Sequence, residues 1–297
     1  MTLRFTKMHG LGNDYVYVDA FAQSLDGVAL PELARRISDR HRGVGGDGLI
    51  LITPPSPGVE ADVRMEMFNA DGSRGEMCGN GIRCVAKYAI EHGLVQAAGP
   101  VEVHTRPAAA GVEVTVETDR GVLKLEALRE DGLVRSVRVD MGAPILEPVR
   151  IPVRAHGERC VREPIEIGGV EFAMTCVSMG NPHAVFFVDG VEAIELGRLG
   201  PLIERHARFP SRVNVHFAKA ASPTEARMRT WERGSGVTQA CGTGACAVLV
   251  AGVLEDRLKR AATVHLPGGV LEIEWAESGH VLMTGPAEEA FTGEWLL

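Results

Sequence analysis

Hydrophobic residues along the chain recur with two periods. Residues 15–18, 49–52, 112–116, 134–139, 185–188 and 271–275 form short alternating or β-branched runs bounded by Gly, Pro and Asp, the pattern of strands. A helical period begins after Gly81, where Ile82, Val85, Ala86, Ala89 and Ile90 share one side and Arg83, Lys87 and Glu91 form a polar stripe, with Gly93 as the stop. Residues 245–254 also suit a helix, but without a polar side. A helix apolar all round must be enclosed, so we place it inside a curved sheet and expect the helix after Gly81 in the same position. That apolar segment is too short to span a bilayer, and the first residues, Met1-Thr2-Leu3-Arg4-Phe5-Thr6-Lys7, lack an apolar signal core. The expectation is a cytoplasmic protein with no membrane partner.

The chain also echoes itself. Cys78-Gly79-Asn80-Gly81 returns as Cys241-Gly242-Thr243-Gly244 (241 − 78 = 163), each leading into a helical segment with a further cysteine, Cys84 or Cys246. Three other pairs keep the same order: Phe68-Asn69 with Trp231-Glu232 (231 − 68 = 163), Arg40-His41 with Arg205-His206 (205 − 40 = 165), and Gly12-Asn13 with Gly180-Asn181 (180 − 12 = 168). Four collinear pairs at a nearly constant offset predict two copies of one mixed α/β (α+β) domain related by a pseudo-twofold axis. Each copy is a curved mixed sheet or barrel around a central helix. The charged turn Glu130-Asp131-Gly132 is the expected linker, giving domains 1–131 and 132–285. Because the offset exceeds half the chain, the final strand, 286–297, is expected to return to the first domain.

Composition narrows the chemistry. A chain of 297 residues, 45% hydrophobic and 24% charged, has the size of about two domains and the content of a folded one. With 31 basic against 39 acidic residues the net charge is −8, without the basic footprint of a nucleic-acid binder. Glycine, 35 residues or about 12% against a usual value of roughly 7%, gathers in a few polar clusters. Six cysteines without a secretory leader read as thiols, and with no Cys-x-x-Cys or His-x-x-x-His spacing no metal is expected.

A cysteine at a helix amino terminus meets the positive end of the helix dipole and free N–H groups, which lower its pKa from about 8.5 to roughly 3.5–7.5. The backbone at Gly79, Asn80, Gly242 and Thr243 forms anion sites suited to a carboxylate. Two acid/base groups on opposite faces of a carbon can invert it, one taking the α-proton and the other delivering a proton from behind. Cys78 and Cys241 fit those roles. Cys84, Cys160, Cys176 and Cys246 read as packing residues. A thiol-redox protein, whose two cysteines could oxidise to a disulfide, and a noncatalytic ligand-binding protein are the alternatives from other classes.

These residues resemble a known family, diaminopimelate epimerase. The likeness rests on residues 7–14 (KMHGLGND), 68–73 (FNADGS), 77–84 (MCGNGIRC), 179–183 (MGNPH), 212–214 (RVN), 232–234 (ERG), 238–247 (TQACGTGACA) and 283–287 (MTGPA), and covers nearly the whole chain. It implies cofactor-independent interconversion of LL- and meso-diaminopimelate, in lysine and peptidoglycan-precursor synthesis, by Cys78 and Cys241. It further implies that Asn13, Asn69, Asn181, Asn214, Glu232 and Arg233 bind the substrate's ammonium and carboxylate groups. The backbone at Gly79, Asn80, Gly242 and Thr243 would hold the reacting carboxylate. His183 and Glu232 are implied to tune the thiols or to hydrogen-bond the substrate ammonium, and a homodimer is what the family suggests. His41 and His206 are assigned to the fold. One departure is Gly48, where some members carry a ligand-contacting Gln, so no side-chain contact is expected there. The nearest alternative is a proline or hydroxyproline racemase, whose motif carries a His after Cys-Gly where this chain has Asn80.

Overall fold

The computed structural model describes residues 2–75, 77–95, 101–102 and 110–297. The chain divides into two compact units, Met1–Val139 with Gly285–Leu297, and Asp140–Thr284. The elements run β1 (Thr2–Gly10), β2 (Asn13–Asp19), α1 (Leu30–Ser38), β3 (Gly48–Thr53), β4 (Val63–Asn69), β5 (Arg74–Gly75), α2 (Gly79–Glu91), β6 (Val101–Glu102), β7 (Ala110–Thr118), β8 (Gly121–Glu130) and β9 (Leu133–Asp140). They continue as β10 (Glu163–Ile167), β11 (Val170–Ser178), β12 (Pro182–Phe187), α3 (Leu196–Glu204), β13 (Asn214–Ser222), β14 (Glu225–Glu232), β15 (Gly236–Thr238), α4 (Gly242–Leu254), β16 (Ala261–Leu266), β17 (Gly269–Trp275), β18 (Val281–Pro286) and β19 (Glu288–Leu296).

The two units repeat one pairing scheme. In the first, β19, β1, β2, β3, β4, β7, β8 and β9 pair in that order, with β2–β3 and β4–β7 parallel and β5 on β4. In the second the order is β10, β11, β12, β13, β14, β16, β17 and β18, with β12–β13 and β14–β16 parallel and β15 on β14. Parallel neighbours need a crossover, which a helix supplies each time: α1 and α2 in the first unit, α3 and α4 in the second. The strand β19, paired from Thr2↔Leu296 to His9↔Glu288, takes the place in the first unit that β10 holds in the second.

Every sequence echo falls on equivalent structure. Gly12 and Gly180, at φ 80° and 94°, turn the chain into β2 and β12. Arg40 and Arg205 follow α1 and α3, Phe68 and Trp231 lie near the ends of β4 and β14, and Cys78 and Cys241 cap α2 and α4. The turn expected to link the domains is different: residues 130–132 close the β8–β9 hairpin, Glu130 opposite Leu133, and the division falls after Val139. A charged turn with Asp131 and Gly132 at φ 52° and 80° is also what a tight hairpin demands, so its composition could not separate the two readings. The short helices α1 and α3 went unread in the sequence; each has nine residues, and α3 contains Pro201.

Strand alternation explains the layering. In β2 and β3, Val16, Val18, Leu49 and Leu51 pack with Leu33, Ala34 and Ile37 of α1. Tyr17 instead reaches α2, its hydroxyl donating to Gly81 O at 3.3 Å. Strands buried on both faces lose the polar alternation of a surface sheet. The helix α2 contacts β1, β2, β4, β7 and β8, and α4 contacts β11, β12, β13, β14, β16 and β17. Arg83 and Lys87 of the polar stripe of α2 are buried too, but partnered: Lys87 Nζ donates to Glu91 Oε1 (2.8 Å) and Val134 O (2.9 Å), and Arg83 to Pro286 O (3.1 Å) and Gly79 O (3.2 Å). Among the described residues no helix is long and apolar enough to cross a membrane.

Both enclosed helices end alike. Leu94 N–H reaches back to Ala89 O over Gly93 at φ 73°, and Arg257 N–H to Gly252 O over Asp256 at φ 55°. A Cβ added at Gly93 meets nothing within 4 Å, so Gly93→Ala isolates the conformational cost. We expect a loss of about 1–2 kcal/mol in equilibrium urea unfolding, and Asp256→Gly to change stability in the opposite sense; an unchanged midpoint for Gly93→Ala would contradict this account.

Candidate active site

Each enclosed helix begins at a cysteine. Cys78 (φ −126°, ψ 119°) and Cys241 (φ −134°, ψ 105°) are extended caps, and their carbonyls accept the first helical bonds, from Ile82 N and Ala245 N, both at 2.9 Å. The amides at Gly79 and Asn80, and at Gly242 and Thr243, lie ahead of that first bond and carry the positive end of the helix dipole. Glycine is needed there for packing as well. A Cβ on Gly81 would lie 2.8 Å from Ile50 Cδ1, and one on Gly244 would lie 2.4 Å from His216 Cε1.

Around Cys78 the polar groups are strung on one carboxylate. Asp47 Oδ2 accepts from Asn13 Nδ2 at 2.7 Å and from Asp14 N at 3.0 Å, which turns Asn13 Oδ1 toward the thiol. The Cys78 thiol donates to that oxygen at 3.2 Å, Asn80 Nδ2 donates to it at 3.3 Å, and Gly81 N–H donates to the sulfur at 3.4 Å. Arg40 bridges Asp14 (2.6 Å) and Asp47 (3.0 Å), while Lys7 pairs with Asp14 at 2.5 Å and donates to Gly45 O. Burial alone would raise the Asp14 carboxyl, but Arg40 and Lys7 together hold it below its ordinary value. Burial, then Cys78 and Asp47, push the Tyr15 phenol up, so it stays neutral beside the thiol. Asn80 is buried, and its Oδ1 finds no hydrogen-bond partner among the described residues.

The remaining first-unit residue, Asn69, ends β4 in a turn, its Nδ2 donating to Ser73 Oγ at 2.9 Å. Gly48 sits opposite Asn69 in the β3–β4 ladder, where a Cβ would lie 2.1 Å from Phe68 O. The backbone as it stands therefore has no room for a side chain at 48.

The second unit surrounds its cysteine with different groups. Cys241 is 4% exposed, and its Sγ lies 3.7 Å from Thr243 Oγ1. Burial pushes its thiol well above the usual value, the Glu232 carboxylate adds to this, and the Thr243 hydroxyl works against it. Glu232 is held by Thr238 Oγ1, which donates to Oε1 at 2.6 Å. Asn181 donates from Nδ2 to Thr243 Oγ1 at 3.4 Å and faces His183 Nε2 with its Oδ1 at 2.9 Å. Asn214 is engaged with backbone on both sides, donating to Pro182 O (3.0 Å) and accepting from Arg233 N (2.9 Å). The Arg233 guanidinium donates to Ser211 O at 3.0 Å on an exposed turn.

The sites therefore gather Asn13 and Asn80 at Cys78, and Glu232, Thr243, Asn181 and His183 at Cys241, with Asn214 and Arg233 adjoining. Sequence reasoning named Lys7 and Asp14 only as motif letters and did not single out Asp47 or His216. The mixed charges of Lys7, Asp14, Arg40 and Asp47 around glycine turns were the available signal for the first cluster. Among the described residues no group of three or more His, Cys, Asp or Glu side chains could hold a metal ion.

The chain has relatives among known proteins along nearly its whole length. The diaminopimelate epimerase family profile matches residues 5–147 and 175–289. Diaminopimelate epimerase of Pelotomaculum thermopropionicum is 51% identical over 293 residues, covering 99% of both chains, and that of Acetivibrio thermocellus is 50% identical over 98% of both. Among solved structures, a probable proline racemase from Agrobacterium radiobacter K84 matches with a TM-score of 0.67 at 17% identity, covering 99% of this chain and 93% of its own. A PhzF-family phenazine biosynthesis protein from Enterococcus faecalis matches with a TM-score of 0.70 at 12% identity over both whole chains. At such identities these likenesses are of fold.

The half-exposed, amide-capped Cys78 and the buried Cys241 should differ in reactivity. With iodoacetamide at pH 7.5, peptide mass spectrometry is expected to show Cys78 alkylated at least about tenfold faster than Cys241; equal rates, or Cys241 first, would contradict the asymmetry.

Proposed function

This chain belongs to the diaminopimelate epimerase family, and we propose that it interconverts LL- and meso-2,6-diaminopimelate with Cys78 and Cys241 as two acid/base groups acting on opposite faces of one α-carbon. The reaction is an isomerisation of lysine and peptidoglycan-precursor synthesis, with neither pyridoxal phosphate nor metal taking part. The observation that supports the two-thiol assignment is the repeated placement: each cysteine caps an enclosed helix at the same point of the same pairing scheme.

In one direction the Cys78 thiolate takes the α-proton and becomes a thiol. The electron pair left on carbon spreads into the α-carboxylate, whose oxygens accept from the amides at 79–80 and 242–243, where donors fixed beforehand lower the barrier. The Cys241 thiol then gives its proton to the other face and becomes the thiolate. The burial that keeps Cys241 protonated suits it to the acid role, and reversal of roles serves the opposite epimer. Before Cys78 can abstract, its thiol must give up to solvent the proton it shares in the hydrogen bond to Asn13 Oδ1, and the Gly81 amide stabilises the anion formed.

Substrate recognition falls to the amides. Asn13, Asn69, Asn80, Asn181 and Asn214, with Glu232 and Arg233, offer donors and acceptors to two ammonium and two carboxylate groups with little added charge beside a thiolate. The unsatisfied Asn80 Oδ1 suits an ammonium donor. The proposal includes a cytoplasmic location and a homodimer, both carried by family membership.

The test is proton NMR of the reduced protein in D₂O with LL-diaminopimelate, and L-proline in a parallel tube. The meso isomer should appear with deuterium at the α-position, while proline stays unchanged. Cys78→Ala and Cys241→Ala should each lower turnover by at least about a hundredfold. Near-normal turnover in either variant defeats the two-base assignment, and proline exchange would redirect it to a proline racemase.

A further inference from the structure

Behind Cys241 lies a polar layer that the reaction as described leaves unused. Strands β12, β13 and β14 turn His183, His216 and Thr230 to the same side as α4, and the β13–β14 register sets His216 directly opposite Thr230. Both histidines are fully buried and Thr230 is 2% exposed. His183 Nδ1 lies 2.8 Å from His216 Nε2, and His216 Nδ1 lies 3.0 Å from Thr230 Oγ1. With His183 Nε2 at 2.9 Å from Asn181 Oδ1, the contacts continue through Asn181 and Thr243 to Cys241.

One set of proton positions satisfies this chain. Burial, His216 and Arg233 push His183 down, and burial pushes His216 down to about 3, so both rings are neutral with one donor and one acceptor each. An amide oxygen only accepts, so His183 carries its proton on Nε2 and accepts at Nδ1. His216 must then donate from Nε2, and its Nδ1 accepts from the Thr230 hydroxyl. At the other end Asn181 Nδ2 donates to Thr243 Oγ1, which turns the Thr243 hydroxyl proton to the Cys241 sulfur. A sulfur that accepts there points its own S–H elsewhere, and the thiolate left after proton transfer keeps that donor.

We propose that His216 and Thr230 are positioning residues for the Cys241 half of the reaction: they fix the tautomer of His183, which fixes the amide of Asn181 and the hydroxyl of Thr243 at the thiol. This rests on the two-thiol assignment. The ring of His216 is pinned for the purpose, since it occupies the space a side chain at 244 would need, against the first turn of α4. The chain tightens away from the sulfur: 2.8 to 3.0 Å among His183, His216, Thr230 and Asn181, against 3.4 and 3.7 Å at Thr243. The buried end is the fixed one, and the end next to the moving proton is the looser.

The test begins with a readout independent of turnover. In the full chain labelled with ¹⁵N-histidine at pH 7.5, two-bond ¹H–¹⁵N correlation should show His183 and His216 both as Nε2–H tautomers. An Nδ1–H tautomer or an imidazolium at either ring overturns the proposal even if epimerisation is confirmed. His216→Phe, which keeps a ring but no nitrogen, should lower kcat by about tenfold or more with KM changed less than about threefold. His216→Gln, which can still donate to His183, should recover at least about a third of the wild-type kcat, and the near-isosteric Thr230→Val should lose about threefold. Wild-type kcat in both His216→Phe and Thr230→Val, or a loss in His216→Phe that Gln does not rescue while Thr230→Val is unimpaired, reduces the layer to packing and overturns the proposal. If only the two-thiol assignment fails, the tautomers remain as stated and Cys241→Ala keeps its turnover.

Discussion

An enclosed helix has one end that cannot be left to water. Strands pack around α2 and α4, and nearly every residue of the two helices is buried, so the first amides of each must find partners where the chain enters the layer. A cysteine in extended conformation, followed by glycines, meets that need: the carbonyl takes the first helical bond, and the small residues admit a ligand to the amides. The reactive sulfur and the anion site thus share one cause. Altering that entry would change the fold and the chemistry together.

The two units solve the same backbone problem with different side chains. Cys78 sits beneath an array of charged groups, with Lys7 and Arg40 holding Asp14 and Asp47, and Asp47 aiming the Asn13 amide. Cys241 sits before a neutral layer, with Glu232 on one side and the paired histidines behind Asn181. In the array at Cys78 each buried ion meets an opposite charge, and Arg40 reaches out to water, whereas an unpaired ion behind the buried thiol would carry a large desolvation penalty. Neutral imidazoles give direction to hydrogen bonds without that penalty. The asymmetry suits a reaction that needs one thiolate and one thiol at the same moment.

Much of this was legible in the residues. Period-two runs marked strands in both units, an apolar helix announced its enclosure, and four collinear echoes showed the duplication. The cysteine pair stood out because a Gly-x-Gly follows each of them. What stayed hidden had a short-range explanation in each case. The turn at 130–132 is as good a hairpin as a linker; α1 and α3 are too short for periodicity to declare them. His216 alternates with Val215 and Phe217 as a solvent-facing residue would, yet its face is covered by α4.

The sequence by itself determined the local grammar: which segments are strands, which helices must be buried, and which two cysteines start them. These depend on neighbours a few residues apart. Only the tertiary structure decided which carboxylate aims Asn13, which histidine meets Thr230, and why Gly244 has no room for a side chain. Such contacts join residues on different strands through parallel and antiparallel registers, and a register is a long-range agreement that no single segment encodes.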